Sequence, residues 1–284
     1  HYVTVAGLGG EPDYEQRFAA QAADLEKLAK SDPSAKVTTL SGAEATRAAI
    51  LAALSQVASA AKADDSLTLT LIGHGTFDGE EYKFNLPGPD LTSTELAAAL
   101  DRIPAQRQLV FNGTSASGAS LLSLQRPNRI VICATKNGNE KNATVFARYW
   151  VEALRDPAAD SDKNQSISAL EAFRYADQKT VAYYETQKRL ATEHAILEDT
   201  GAGDGVRAPS PENGKGEAAG RFSVLRLGEI QQATLDPGKQ SLLKKKEELE
   251  VAIDKLKYRK AAMSSADYKK TMQQLLFELA RVQQ

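Results

Sequence analysis

Two stretches decide how this chain reads: Ser66-Leu-Thr-Leu-Thr-Leu-Ile-Gly-His-Gly75 and Gln108-Leu-Val-Phe-Asn-Gly-Thr-Ser-Ala-Ser-Gly118. Each is an apolar run that stops abruptly in glycine, as a buried strand does when it enters a tight turn. Each turn carries a residue able to do chemistry. These are His74 and Ser115, 115 − 74 = 41 positions apart. Working outward, further strands are expected at 2–6, 36–40 and 129–134, the last apolar on both faces. Residues 80–85 suit a small hairpin arm. Helices are expected at 13–30, 96–100, 120–124, 143–154 and 46–62, where Ile50, Leu51, Leu54 and Val57 share one face. This alternation predicts an α/β fold, a mostly parallel sheet flanked by helices. Such sheets bind ligands outside the carboxyl ends of their strands, and both glycine turns sit at that edge.

Composition narrows the field. The 284 residues carry a net charge of −2, so there is no bulk field to draw the chain to nucleic acid or an anionic membrane. With 42% hydrophobic and 25% charged residues, the chain is globular rather than disordered. One cysteine excludes an internal disulfide framework and Cys-rich zinc sites, and three histidines argue against a multi-His metal site. No organic cofactor is expected. There is no phosphate-cradling P-loop, and Gly7-Leu-Gly-Gly10 lacks the full dinucleotide-binding glycine pattern. No run of about 18 apolar residues is present, so no transmembrane segment is expected. The chain starts at His1 and enters a strand at once, which suits a mature or trimmed form. A removed signal peptide would fit, and a periplasmic or secreted location is expected.

Residues 168–199 read as one long helix, 200–220 as a long surface loop rich in Gly, Pro and charge, and 221–227 as one more strand. Asp236-Pro-Gly238 breaks the chain, and the composition then shifts to Lys, Glu, Leu and Gln. Two units are expected: 1–235, and a helical hairpin or coiled-coil tail at 236–284. In the tail, Leu242, Leu249 and Leu256 recur every seventh residue beside Ile253, and Ser264-Ser265 can cap a second helix bearing Tyr268, Met272, Leu275, Leu276 and Leu279. Its apolar residues are expected to seek a protein partner, a second copy or the chain's own sheet domain. Lys244-Lys-Lys246 alternates with Glu247-Glu248 and reads as a solvated helix face, not a nucleic-acid patch.

A nucleophile needs a base within hydrogen-bond reach and donors for a developing oxyanion. Neighbouring parallel strands would bring His74 and Ser115 together, and Gly75 would let backbone N–H groups approach a carbonyl. The same letters also suit two ordinary Gly/Ser turns. Cys133, between Ile132 and Ala134, reads as a buried small hydrophobe. His194, beside Glu193, reads as a helical surface or packing residue.

Leu69-Thr-Leu-Ile-Gly-His-Gly75 resembles the strand–His-Gly segment of legumain-like and caspase-like peptidases. Val110-Phe-Asn-Gly-Thr-Ser-Ala-Ser-Gly118 resembles the segment that holds their nucleophilic cysteine. The resemblance covers roughly residues 1–155, with 222–227 as a final sheet strand. It implies a caspase-like sheet, His74 as base, Ser115 at the nucleophile position, and the N–H groups of Gly75 and Ser115 as oxyanion donors. It implies a substrate pocket lined by Thr135, Lys136 and Asn137, and a peptide or protein substrate. Glu171-Ala-Phe-Arg-Tyr-Ala176 and Glu193-His-Ala-Ile-Leu-Glu-Asp199 are similar to bacterial members. The departure is Ser115, because a hydroxyl is far harder to ionise than a thiol. No acidic residue is singled out to orient His74, although Asp78, Glu80 and Glu81 are near in sequence. Three readings stay open: a natural serine variant, a binding-only relative acting through its crevice and helical tail, and a Cys→Ser replacement.

Residues 160–171 form a second pattern. Read as a twelve-residue calcium loop, Asp160, Asp162 and Asn164 take positions 1, 3 and 5. Ser166 offers its carbonyl at position 7, Ser168 stands at position 9, and Glu171 closes the loop at position 12. Gln165 departs from the glycine such loops carry at position 6. Ser168-x-x-Glu171 is equally a helix capping box, and one Glu can serve both roles.

Overall fold

The computed structural model describes residues 1–227 and 237–282. In chain order the strands are β1 (Tyr2–Ala6), β2 (Val37–Leu40), β3 (Ser66–Ile72), β4 (Gly75–Phe77), β5 (Tyr82–Phe84), β6 (Leu91–Thr92), β7 (Arg107–Asn112), β8 (Arg129–Cys133), β9 (Ser166–Ser168), β10 (Ile196–Glu198) and β11 (Ser223–Arg226). The helices are α1 (Pro12–Ala29), α2 (Arg47–Ala60), α3 (Ser93–Leu100), α4 (Leu121–Leu124), α5 (Phe146–Ala153), α6 (Ala169–Thr186), α7 (Glu217–Arg221), α8 (Pro237–Tyr258) and α9 (Ser265–Val282).

Six strands form the central sheet in the order β10-β8-β7-β3-β1-β2. All pair in parallel except β10, which runs antiparallel along β8. Strand periodicity sorts the side chains to two cores. On one face Leu109, Phe111, Ile130 and Ile132 pack with α5 and α6, and Phe111 stacks on Trp150 at 4.4 Å between ring centroids. On the other, Val3, Val5, Leu67, Leu69, Val110 and Val131 meet Ile50 and Leu54 of α2 and Leu96 and Leu100 of α3. Thr46 caps α2 by accepting the Ala49 N–H, and Thr92 and Glu95 form a capping box on α3. The α/β class expected from the alternation is the one observed.

Three expectations are corrected. The stretch 168–199 is not one helix: α6 ends at Thr186, and β10 follows as the last strand of the central sheet. The stop is a Schellman turn in which the Lys188 N–H reaches the Glu185 carbonyl and the Arg189 N–H reaches that of Tyr184. Lys188 takes the left-handed φ of 53° that glycine usually supplies, so no glycine announced the break. His194 therefore lies on the approach to β10 and not on a helix. The stretch 222–227 does not join the central sheet either. Its strand β11 pairs antiparallel with β9 in a separate two-stranded ribbon. The stretch 200–220 is more ordered than a loop, since Val206 bridges to Leu197 and α7 begins at Glu217. The N–H groups of Gly216 and Ala219 at its start are held by the buried Asp199 carboxylate.

The expected boundary at 235/236 lies outside the described residues. Beyond it, α8 and α9 form a helical hairpin. Leu249, Ile253 and Leu256 are buried, and the Tyr258 hydroxyl donates to the Lys215 carbonyl, so α8 docks on its own chain. Leu242, Leu276 and Phe277 stay exposed.

Candidate active site

β3 and β7 are hydrogen-bonded neighbours, with Leu71 opposite Asn112. The turns that follow them therefore meet at the carboxyl edge of the sheet. Gly75 and Ser115 touch there. The Gly75 N–H donates to Ser115 Oγ at 3.1 Å, and Ser115 Oγ lies 3.1 Å from the Gly75 carbonyl, to which it donates. Ser115 is only 2% exposed. A Cβ on Gly75 would fall 2.5 Å from the Ser115 carbonyl, so only glycine permits this approach. Below it, Tyr82, Asn112 and Thr114 form a closed polar knot, with the Tyr82 hydroxyl 2.6 Å from Thr114 Oγ1.

The imidazole of His74 does not take up the expected hydrogen bond with Ser115, whose hydroxyl is engaged by Gly75 instead. The ring lies edge-on to Tyr14 and Phe18 of α1, at 4.8 and 5.3 Å between centroids. Burial pushes its pKa below the ordinary imidazole value, assisted by Arg17 and opposed by a backbone hydrogen bond to Gly9 and by Glu15. His74 thus sits as a neutral ring oriented by the Gly9 backbone and two aromatics. The nearby acids point elsewhere: Asp78 accepts the N–H groups of Glu80 and Glu81, and Glu81 accepts that of Thr94.

The expected pocket residues divide. Thr135 is buried, and its hydroxyl serves Ser117 Oγ and the Gly118 N–H, whereas Lys136 and Asn137 are exposed. Cys133 is buried, with its thiol pushed up to about 12 by burial, as its place in an apolar strand implies. Composition gave no reason to single out Gly9, Tyr14, Phe18 or Glu140. The glycine run at 7–10 was the one available signal, and it is used here for close packing. A Cβ on Gly9 would meet the Glu15 N–H nitrogen at 2.4 Å.

The loop at 160–171 brings ligand oxygens of Asp160, Asp162 and Glu171 within 4.8 Å of one another. Asp160 accepts the N–H groups of Asn164 and Gln165. Gln165 adopts the left-handed φ of 67° that position 6 of such a loop requires. Although Asp162 is exposed as a residue, partial loss of water around its carboxyl, with Glu171 and Asp160 alongside, pushes that group up to about 6. Glu171 also completes the capping box with Ser168 and accepts the Ser161 N–H. Asn164 and Ser166 lie in the same turn, where the Ser166 N–H donates to Asn164 Oδ1.

The class these features define is an α/β protein with a mostly parallel, helix-flanked sheet and a Gly–Ser contact at its carboxyl edge. No family model and no curated protein matches the sequence. Among solved structures the chain is similar to protein GSU0716 from Geobacter sulfurreducens, at 17% identity over 63% of this chain and 88% of that chain, with TM-score 0.45. It is also similar to the Drosophila initiator caspase Dronc, at 9% identity over 72% of this chain and 80% of that chain, with TM-score 0.49. No helix among the described residues is long and apolar enough to cross a membrane.

Proposed function

We propose that the chain is a degenerate relative of legumain-like and caspase-like peptidases, with Ser115 at the nucleophile position and His74 as the base. The observation that carries the reading is the contact between Ser115 Oγ and the Gly75 N–H, from two motifs 115 − 75 = 40 positions apart. The contact brings a backbone N–H of the kind that can stabilise an oxyanion to the would-be nucleophile at the sheet's carboxyl edge, where the Ser115 hydroxyl now occupies it. Weak turnover follows, because the hydroxyl is held by Gly75 and the imidazole is packed against α1. The test is Ser115→Cys with an electrophilic peptide probe. Covalent labelling should appear, and His74→Ala should remove it. Labelling that ignores His74→Ala would refute the base assignment.

A second reading is favoured by the burial of Ser115, namely a non-catalytic module that binds peptide or protein through the rim formed by Lys136 and Asn137. Absence of labelling in the Ser115→Cys form, together with retained peptide binding, would select it. We further propose that Asp160, Asp162, Asn164, Glu171 and the Ser166 carbonyl bind Ca2+, in keeping with a periplasmic or secreted protein. The near approach of the three carboxylates supports this.

A further inference from the structure

Residues 135–144 wrap around the turn that carries Ser115 and grip it at three points. The Thr135 hydroxyl accepts the Gly118 N–H, the Glu140 carbonyl accepts the Ala116 N–H at 2.8 Å, and the Thr144 hydroxyl donates to the Gly113 carbonyl. The middle grip matters most. Ala116 is fully buried with φ of 56°, a conformation a non-glycine residue keeps only when its surroundings impose it. Glu140 is in turn held from outside this segment. Its carboxylate accepts the His194 N–H at 3.0 Å and contacts His194 Nδ1, while also accepting the Lys136 N–H at 2.9 Å. The neighbouring Glu193 is buried and fixed by the N–H groups of Val145 and Phe146 and by the Tyr184 hydroxyl. His194 therefore stands on a rigid support.

We infer that Glu140 and His194 form a brace that positions the nucleophile turn: by fixing the Glu140 carbonyl against the Ala116 N–H, it holds the residue-115 side chain against Gly75. Both are positioning residues, and neither touches the reacting atoms. The inference rests on the reading of Ser115 as the nucleophile position.

The test uses Ser115→Cys in the full chain and the rate of alkylation by iodoacetamide. The native Cys133, buried and with a raised pKa, serves as the silent internal control. Glu140→Ala and His194→Ala should each speed labelling at position 115 by about tenfold through local opening. The double variant should add little, because the two act as one unit. The pH profile of labelling should also move upward, since the thiolate loses the Gly75 N–H. Glu140→Gln, which keeps the acceptor, should restore most of the parent behaviour. An unchanged rate and profile in folded variants would overturn the proposal. So would labelling of Cys133 in step with position 115, which would mean global loosening. Should Glu140→Ala fail to fold, Glu140→Gln and His194→Ala decide by the same readout. Alkylation requires no peptide hydrolysis, so failure of the brace and failure of the peptidase reading remain separate results.

Discussion

Replacing Asp162 by Asn should stabilise the protein in chelator and weaken its response to calcium. Ligand oxygens of Asp160, Asp162 and Glu171 lie within 4.8 Å of one another. Two unit charges at that separation repel by about 0.9 kcal/mol even at the dielectric of water, and Asp162 faces two such neighbours. Asp162 is exposed, so solvent screening cuts the sum to roughly 1 kcal/mol. The substitution is close to isosteric, and an Asn Oδ1 can still accept the Asn164 N–H that Asp162 now accepts. The gain in chelator should therefore appear as a rise of about 2–4 °C in Tm for a chain of this size. Calcium at about 100 Kd should stabilise the wild type by about 2.7 kcal/mol, or roughly 5–10 °C. With one anionic ligand removed, Asp162→Asn should gain much less, so the order of the two Tm values should reverse on adding calcium. Differential scanning fluorimetry in chelator and in millimolar calcium reads both effects. Equal wild-type Tm in the two buffers would refute the calcium site and leave Glu171 as a helix cap alone. A lower Tm for Asp162→Asn in chelator would refute the repulsion argument.

Other outcomes follow from single contacts. Gly118→Ala would place a Cβ 2.4 Å from Asn137 and Lys136 backbone atoms, which cannot swing aside, so urea melts should show a loss of about 1–3 kcal/mol. Trp150→Ala empties the stack on Phe111 in the core under α5 and α6 and should cost about 3–5 kcal/mol by the same measurement. His74 has its folded pKa lowered by burial, so the neutral ring's contribution is complete above the unfolded value of about 6.5 and is lost as pH falls towards the folded pKa. His74→Gln should flatten that part of the stability–pH curve, and an unchanged slope would count against a half-buried neutral ring.

Much of the sheet was legible because its strands carry strong local signals. β3 and β7 are apolar runs ended by glycine, and β8 is buried on both faces, so pattern alone placed three adjacent strands of the central sheet. β10 was not legible. The helix before it ends on Lys188 in a conformation that glycine would have advertised, and tertiary packing imposes the left-handed turn without the usual letter. The strand itself is three residues long, too short to show a period. The stretch 222–227 alternates as a sheet strand should, yet it pairs with β9 outside the central sheet.

The site divides along the same line. Sequence order brought the two turns to one edge, because adjacent parallel strands must deliver their carboxyl ends together. It could not say where the side chains turn once there. That is settled by residues remote in sequence: Tyr14 and Phe18 capture the imidazole, and Gly75 captures the hydroxyl. Both captures use groups that a peptidase needs for its substrate, the base in one case and the oxyanion donor in the other. Binding a peptide carbonyl at the Gly75 N–H would have to displace Ser115 Oγ from it, and the freed hydroxyl would then need a new partner. The neutral imidazole is the group two residues past β3 that could accept that proton, at the cost of leaving the α1 aromatics. Under the proposed peptidase reading, exchange of these two contacts, rather than the presence of His74 and Ser115 alone, is the physical step on which activity would turn.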